Sequence, residues 1–335
     1  MSYETPESRR AKVVEVREIL LSSRRVVLTT HANADGDAAG SEAAVASWLR
    51  ANGTEVTIVN PTPFPNRFKW MIDEPRNVVR TKSTLARDRC AESDLAVVLD
   101  TCDIGRLGSV WQLIKGLRVV VVDHHLPGTR PVGGVQLTDT DACAAGELVY
   151  DLISDADGPW TRNVIDGLYV AISTDTGSYR FDNSTQAAHA ITADLIERGV
   201  SPGEVSRRLY GAVDLRRYGV MREVLSTLES DRGVTSMVVS QETCRNHGAR
   251  PSDLQGFVDI PRSVRGTEIA ILFRETERCE VKVSFRAAGG VNVAALAAEF
   301  GGGGHEKASG ALVAGELSAV VEDVRRAAAA AVGAR

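Results

Sequence analysis

The sequence predicts an α/β protein, with an N-terminal doubly wound parallel sheet and a smaller α+β domain behind it. Three observations lead there. Short, continuous aliphatic runs at 25–30, 95–99 and 119–122 read as strands covered on both faces. Helix-patterned segments alternate with them, as βαβ winding requires. Past Ser201-Pro-Gly203 that alternation stops and the pattern changes.

Taken in order, a helix is expected over 11–21, a strand over 25–30 and a helix over 38–51 that Asn52-Gly53 terminates. A short strand follows at 55–59, and the proline-rich segment 61–65 is a loop. After the strands at 95–99 and 119–122, helices are expected over 142–154, 162–172 and 185–198. A domain boundary is expected within 190–220, dividing the chain into 1–195, a linker region 196–220, and 221–335. In the last part a long helical stretch over 215–230 leads to strands at 234–240, 268–274 and 279–286. A short helix at 291–300, the glycine run 301–304 and an alanine-rich helix at 317–332 complete the chain.

At 335 residues there is room for two domains, and 43% hydrophobic with 25% charged residues is the composition of a globular protein. No apolar stretch approaches the roughly 20 residues that cross a bilayer. The opening residues lack the apolar core of a secretory signal, so a cytoplasmic protein without a membrane partner is expected. Five scattered cysteines with no Cys-x-x-Cys pair argue against a disulfide framework and a structural zinc site. Cys102 lies two residues from Asp100 and is read as a small packing residue, because no base is assigned to it. The net charge of −5 disfavours holding a long polyanion. A nucleic-acid substrate should therefore be short and held by a few placed groups.

Each aliphatic run ends in groups that bind metal. The first is followed by His31, Asp35 and Asp37, the second stops at Asp100, and the third stops at Asp123-His124-His125. Open α/β sheets carry their chemistry at that edge. A divalent ion such as Mn²⁺ takes imidazole and carboxylate together. Two such ions about 3.5–4 Å apart clamp the entering and leaving oxygens at phosphorus and need about six protein ligands. His31, Asp35, Asp37, Asp100 and His124 supply five, and Asp175, expected just after a helix, is the best remaining carboxylate. A single Asp at a strand–helix junction is an ordinary N-cap, but capping explains poorly a whole set at successive strand ends. Asp123, behind two histidines, is placed to orient one of them as a hydrogen-bond acceptor rather than to touch metal. The set points to a metal-dependent hydrolase.

The glycine run is a separate signal. It is either a flexible loop or a nest of backbone N–H groups for an anion. Arg286, at the end of the preceding strand, could add a charged clamp.

Together, His31-x-Asn33-x-Asp35-x-Asp37, Asp100, Asp123-His124-His125, Asp175 and the glycine run closing on His305 resemble the DHH phosphoesterase superfamily. The C-terminal motif resembles the DHH-associated domain of its nanoRNase and pAp-phosphatase branch. The resemblance covers nearly the whole chain, in the right order. It implies two Mn²⁺ ions, one on His31 and Asp35, the other on Asp37, His124 and Asp175, with Asp100 bridging and catalytic. It also implies that His125 approaches the substrate phosphate as a catalytic group, and that Gly303, Gly304, His305 and Arg286 hold substrate. Arg106 matches a motif arginine.

The implied activity is hydrolysis of short oligoribonucleotides, including linear dinucleotides such as pApA, to nucleoside monophosphates. Dephosphorylation of 3′-phosphoadenosine 5′-phosphate (pAp) to AMP comes with it, and cyclic dinucleotides are further implied substrates. Two lobes and a homodimer are implied as well. Rival readings share the metal core: a pyrophosphatase or exopolyphosphatase, or a RecJ-like exonuclease on long single strands. The former generally lack the glycine–histidine signature, and the acidic net charge weighs against the latter. A non-catalytic nucleotide sensor would be expected to have lost ligands that are all present here.

Overall fold

The computed structural model describes residues 3–333 apart from Pro127, Thr129, Ala212, Val213 and Glu277; the side chains of Ser252 and His305 also lie outside the described residues. The chain divides into two compact units, Met1–Ala212 and Val213–Arg335.

In the first unit α1 (Glu7–Ser22) leads to β1 (Arg25–Thr29), α2 (Gly36–Ala51) and β2 (Glu55–Asn60). Two 3₁₀ turns (Asn66–Met71 and Pro75–Asn77) precede β3 (Val78–Arg80), α3 (Thr84–Glu92) and β4 (Leu95–Leu99). Short helices α4 (Ile104–Leu107) and α5 (Trp111–Ile114) lead to β5 (Arg118–Asp123) and β6 (Val135–Thr138). Helices α6 (Ala145–Asp155), α7 (Arg162–Asp175), α8 (Gln186–Glu197) and α9 (Pro202–Tyr210) follow.

The six strands form one parallel sheet in the order β3-β2-β1-β4-β5-β6. The winding reverses between β1 and β4, and ligand sites of open sheets lie at such a switch point. Alternate strand residues enter separate cores. Val26, Leu28, Val97, Leu99, Val120 and Val122 pack with Trp48, Leu148 and Leu168, whereas Val27, Ala96, Val98 and Val121 pack with Cys90, Leu107 and Ile114. Both faces are dry, so these strands read as unbroken aliphatic runs.

Helix α2 is buried from Gly36 to Leu49 and crosses α7 at a glycine pair. A Cβ on Gly40 would stand 2.3 Å from the Gly167 carbonyl oxygen, so only glycine permits this approach.

The second unit contains α10 (Leu215–Leu225), β7 (Glu229–Asp231), β8 (Val234–Val239), α11 (Gln241–Asn246), α12 (Asp259–Arg262) and β9 (Ile269–Glu275). It continues with β10 (Glu280–Ala287), α13 (Val293–Glu299), β11 (Gly303–His305), β12 (Ala308–Ala314) and α14 (Leu317–Gly333). Its mixed sheet has the order β11-β12-β10-β9-β8-β7. Ile271, Phe273, Val283 and Phe285 pack under α13 and α14. Met237, Val239 and Leu272 join Val220, Val224 and Phe257 in a second cluster.

Three local expectations are corrected. The helix expected over 215–230 ends at Leu225 and the chain enters a hairpin, β7–β8. Arg232 and Gly233 both take positive φ there, 44° and 79°, as a two-residue hairpin turn demands. The glycine run is in part a strand, because 303–305 pairs antiparallel with β12. Asp175 is the last residue of α7 rather than a residue beyond it. Among the described residues, no helix is long and apolar enough to cross a membrane.

Candidate metal centre

The C-terminal ends of β1, β4 and β5 bring the predicted groups together. Thr30 ties the first two ends: its hydroxyl donates to the Leu99 carbonyl at 2.7 Å, and its N–H donates to Asn60 Oδ1 at 3.2 Å. His31 follows, with Nδ1 3.0 Å from the Ala32 carbonyl oxygen. That contact leaves Nε2 3.2 Å from Asp100 Oδ2 and 3.8 Å from Asp35 Oδ2. Asp35 caps α2, accepting from the Ala38 N–H with its other oxygen. Asp100 sits at φ 58°, a left-handed conformation that Asp tolerates better than most residues.

Asp37 is the second residue of α2, in its first turn. Its oxygens accept the Ala145 N–H at 2.6 Å and the Gly146 N–H at 2.9 Å. His124 turns Nδ1 toward the Ala142 carbonyl at 3.2 Å. Its Nε2 stands 3.6 Å from Asp37 Oδ2, 3.6 Å from Asp175 Oδ2 and 3.7 Å from Asp100 Oδ1. Asn183 holds Asp175 by a 3.3 Å hydrogen bond and also donates to the Cys143 carbonyl. Asp123 Oδ1 is 2.8 Å from His125 Nδ1, which is 3.5 Å from Asp100 Oδ1.

These distances test the fit to a cation. Bonds of about 2.1 Å at angles of about 90–110° set neighbouring donors about 3.0–3.5 Å apart. Among the described residues, potential ligand atoms gather in three groups: His31, Asp35 and Asp100; Asp37, His124 and Asp175; and Asp100, His124 and His125. Asp100 Oδ1 and His124 Nε2 are buried with no hydrogen-bond partner among the described residues, which is costly unless something else occupies them. The residues fit divalent cations, and Asp100 belongs to two of the groups.

Charge balance points the same way. Burial, then the neighbouring carboxylate of Asp37, pushes Asp175 up to about 8, and the same two causes raise Asp100 well above its ordinary value. Burial also raises Asp37, against the pull of His124. Burial pulls His31 down, but Asp100 and Asp35 outweigh it and lift the imidazole to about 10. Burial and mutual repulsion make the charged carboxylates costly here, a cost that a bound cation would relieve.

Arg106 in α4 bears on Asp35 electrostatically. Cys102 is buried, and burial followed by Asp123 pushes its thiol up to about 11, as suits a packing residue. In the second unit Arg286, Ala308 and His305 stand in one row across β10, β12 and β11. Gly303 and Gly304 lie on β11, at the edge of that sheet; the His305 side chain lies outside the described residues.

Sequence reading missed Asn183, Thr30, Asn60 and Glu42, which support the candidate ligands from behind. Thr30 and Asn60, polar residues closing two apolar strands, were a usable signal. Asn183 carried none, because only the fold brings it to Asp175.

The first unit matches the family description "DHH family, N-terminal domain" over residues 25–172, and the second matches "DHHA1 domain" over residues 230–333. A bifunctional oligoribonuclease and PAP phosphatase NrnA from Thermus thermophilus is 31% identical over 312 residues, spanning 90% of this chain and 91% of that protein. The protein of the same name from Bacillus subtilis is 28% identical, spanning 86% of this chain and 89% of its own length. An exopolyphosphatase-related protein from Bacteroides fragilis has a solved structure that superimposes with a TM-score of 0.88 at 23% identity, covering 97% of this chain and 96% of that one. That likeness is one of fold.

Proposed function

The chain belongs to the DHH family of phosphoesterases, and on that premise we propose that it hydrolyses short oligoribonucleotides to nucleoside monophosphates and dephosphorylates pAp to AMP. The observation that carries the reading is the convergence of His31, Asp35, Asp37, Asp100, His124 and Asp175 on one sheet edge, with Asp100 Oδ1 and His124 Nε2 unpartnered. The two relatives with both activities in their names support the substrate class, since this chain spans about nine-tenths of each.

In this reading His31, Asp35 and Asp100 would hold one cation, and Asp37, His124 and Asp175, with Asp100, would hold a second. The cations, Mn²⁺ in our proposal, would supply Lewis-acid stabilisation of charge on the phosphoryl oxygens. Asp123 orients the His125 ring through Nδ1, and His125 would act as the general acid toward the leaving oxygen. Backbone N–H groups at Gly303 and Gly304, with His305 and the Arg286 guanidinium, would bind phosphate or nucleotide in the second unit. A cytoplasmic homodimer completes the proposal, on the strength of the family resemblance.

Product analysis with Mn²⁺ tests the reading, using pApA, pAp, a cyclic dinucleotide, a long RNA and pyrophosphate side by side. Fast conversion of pApA and pAp to AMP with the long RNA nearly untouched is expected. Pyrophosphate as the only good substrate would overturn it.

A further inference from the structure

Beside the metal-binding groups the first unit holds a cavity of about 200 Å³. Asp35 and Asp175, from different ligand groups, both line it, so the cavity opens on the centre itself. Arg67 and Phe68, from the 3₁₀ turn Asn66–Met71, and Leu209 and Tyr210, at the end of α9, line it too. These walls are anchored. Phe68 is fully buried and Leu209 packs against the main core. The Arg208 guanidinium lies 4.5 Å from the centre of the Trp70 ring, stapling α9 to the turn.

Arg67 is different. Its guanidinium rests 4.4 Å from the Phe68 ring centre and has no ion pair or hydrogen bond among the described residues. Tyr210 is 53% exposed, and its hydroxyl likewise makes no hydrogen bond among the described residues. A cavity of this size is smaller than the roughly 300–1,000 Å³ that holds a drug-sized ligand, so it takes one group of a substrate. Asp35 bears on Arg67 electrostatically without forming an ion pair among the described residues, and a guanidinium fork so placed matches a phosphate in shape and charge.

We propose that Arg67 and Tyr210 form a subsite in the first unit for the phosphate of the substrate that does not react. The inference rests on the hydrolase reading above and narrows its substrate class. In both pApA and pAp the 5′-phosphate is one nucleoside removed from the phosphorus attacked. One subsite next to the centre therefore serves both molecules, and a dinucleotide without a 5′-phosphate leaves it empty.

The test compares pApA with ApA in wild type, Arg67→Gln and Arg67→Lys, with Mn²⁺ present. Arg67→Gln should lower kcat/KM on pApA about 10–100-fold more than on ApA, and Arg67→Lys should recover part of the difference. Equal losses on the two substrates, or no loss on either, overturn the subsite. Calorimetry gives a second readout that needs no turnover, because AMP keeps the 5′-phosphate and adenosine lacks it. Wild type should bind AMP at least about tenfold more tightly than adenosine, and Arg67→Gln should erase that preference. AMP bound alike by both proteins overturns the subsite even where the wild type cleaves neither dinucleotide, an outcome that sinks the hydrolase reading separately. Thermal midpoints should coincide, since the exposed Arg67 makes no ion pair among the described residues.

Discussion

Asp37 on α2 accepts the first backbone amides of α6, from Ala145 at 2.6 Å and Gly146 at 2.9 Å. Helix α6 has no cap of its own, because its N-cap residue is Ala144. One carboxylate therefore serves two purposes: it terminates a helix from another part of the chain and faces His124 at 3.6 Å.

Replacing Asp37 by Ala should remove both functions. Loss of a ligand should lower kcat/KM by about 10³-fold, and loss of the cap should cost about 1–2 kcal/mol of stability. Steady-state kinetics and denaturant unfolding check the two effects separately.

Gly40→Ala tests how packing sets the site. The added Cβ would meet the Gly167 carbonyl at 2.3 Å, so α2 and α7 must separate and Asp37 must move away from Asp175. A destabilisation of about 2–3 kcal/mol is expected, with a clear fall in activity although no ligand is altered. Unchanged kinetics in the folded variant would show that the centre tolerates the shift.

Asp123→Asn keeps the shape but weakens the hold on His125 Nδ1. Activity should fall about 10–100-fold while bound metal is retained. A loss of metal matching the loss of activity would instead make Asp123 a ligand.

Glu42, behind the cluster and outside its ligand groups, supplies a pH signature. It is fully buried in α2, and Asn60 Nδ2 donates to it at 2.7 Å. Burial raises its carboxyl from 4.5 to about 8, despite the opposing hydrogen bond from Asn60. The folded state therefore keeps a proton that the unfolded state has released. The stability this gives is fully present below pH 4.5 and is lost as pH rises through about 8. Glu42→Gln should remove that slope and gain about 2–4 kcal/mol over wild type by pH 9. Parallel stability curves for the two proteins would contradict this.

Much of the first unit was legible because its central strands β1, β4 and β5 are buried along nearly their whole length, whereas the short, partly exposed β3 and β6 were not anticipated. The polar groups that the fold gathers at the sheet edge were legible for a related reason: His31, Asp100 and Asp123 stand out where they interrupt aliphatic runs. What escaped is held by contacts distant in sequence. Helix α6 starts at Ala145 rather than at 142 because Asp37 caps it across the fold, which no local pattern reveals. The β7–β8 hairpin was masked because Leu225 and Leu228 continue a helical spacing up to the turn at Arg232-Gly233. The glycine run becomes a strand in part because β12 offers a pairing edge, and glycine's own preferences do not signal it.

The most direct test of the account is the metal content of wild type and Asp100→Ala, measured alongside activity before and after chelation. Two divalent ions per chain are expected in wild type, with turnover lost on chelation and restored by Mn²⁺. Asp100→Ala should be depleted of metal and show no turnover. Full activity in the chelated protein, or in a metal-poor Asp100→Ala, would contradict it.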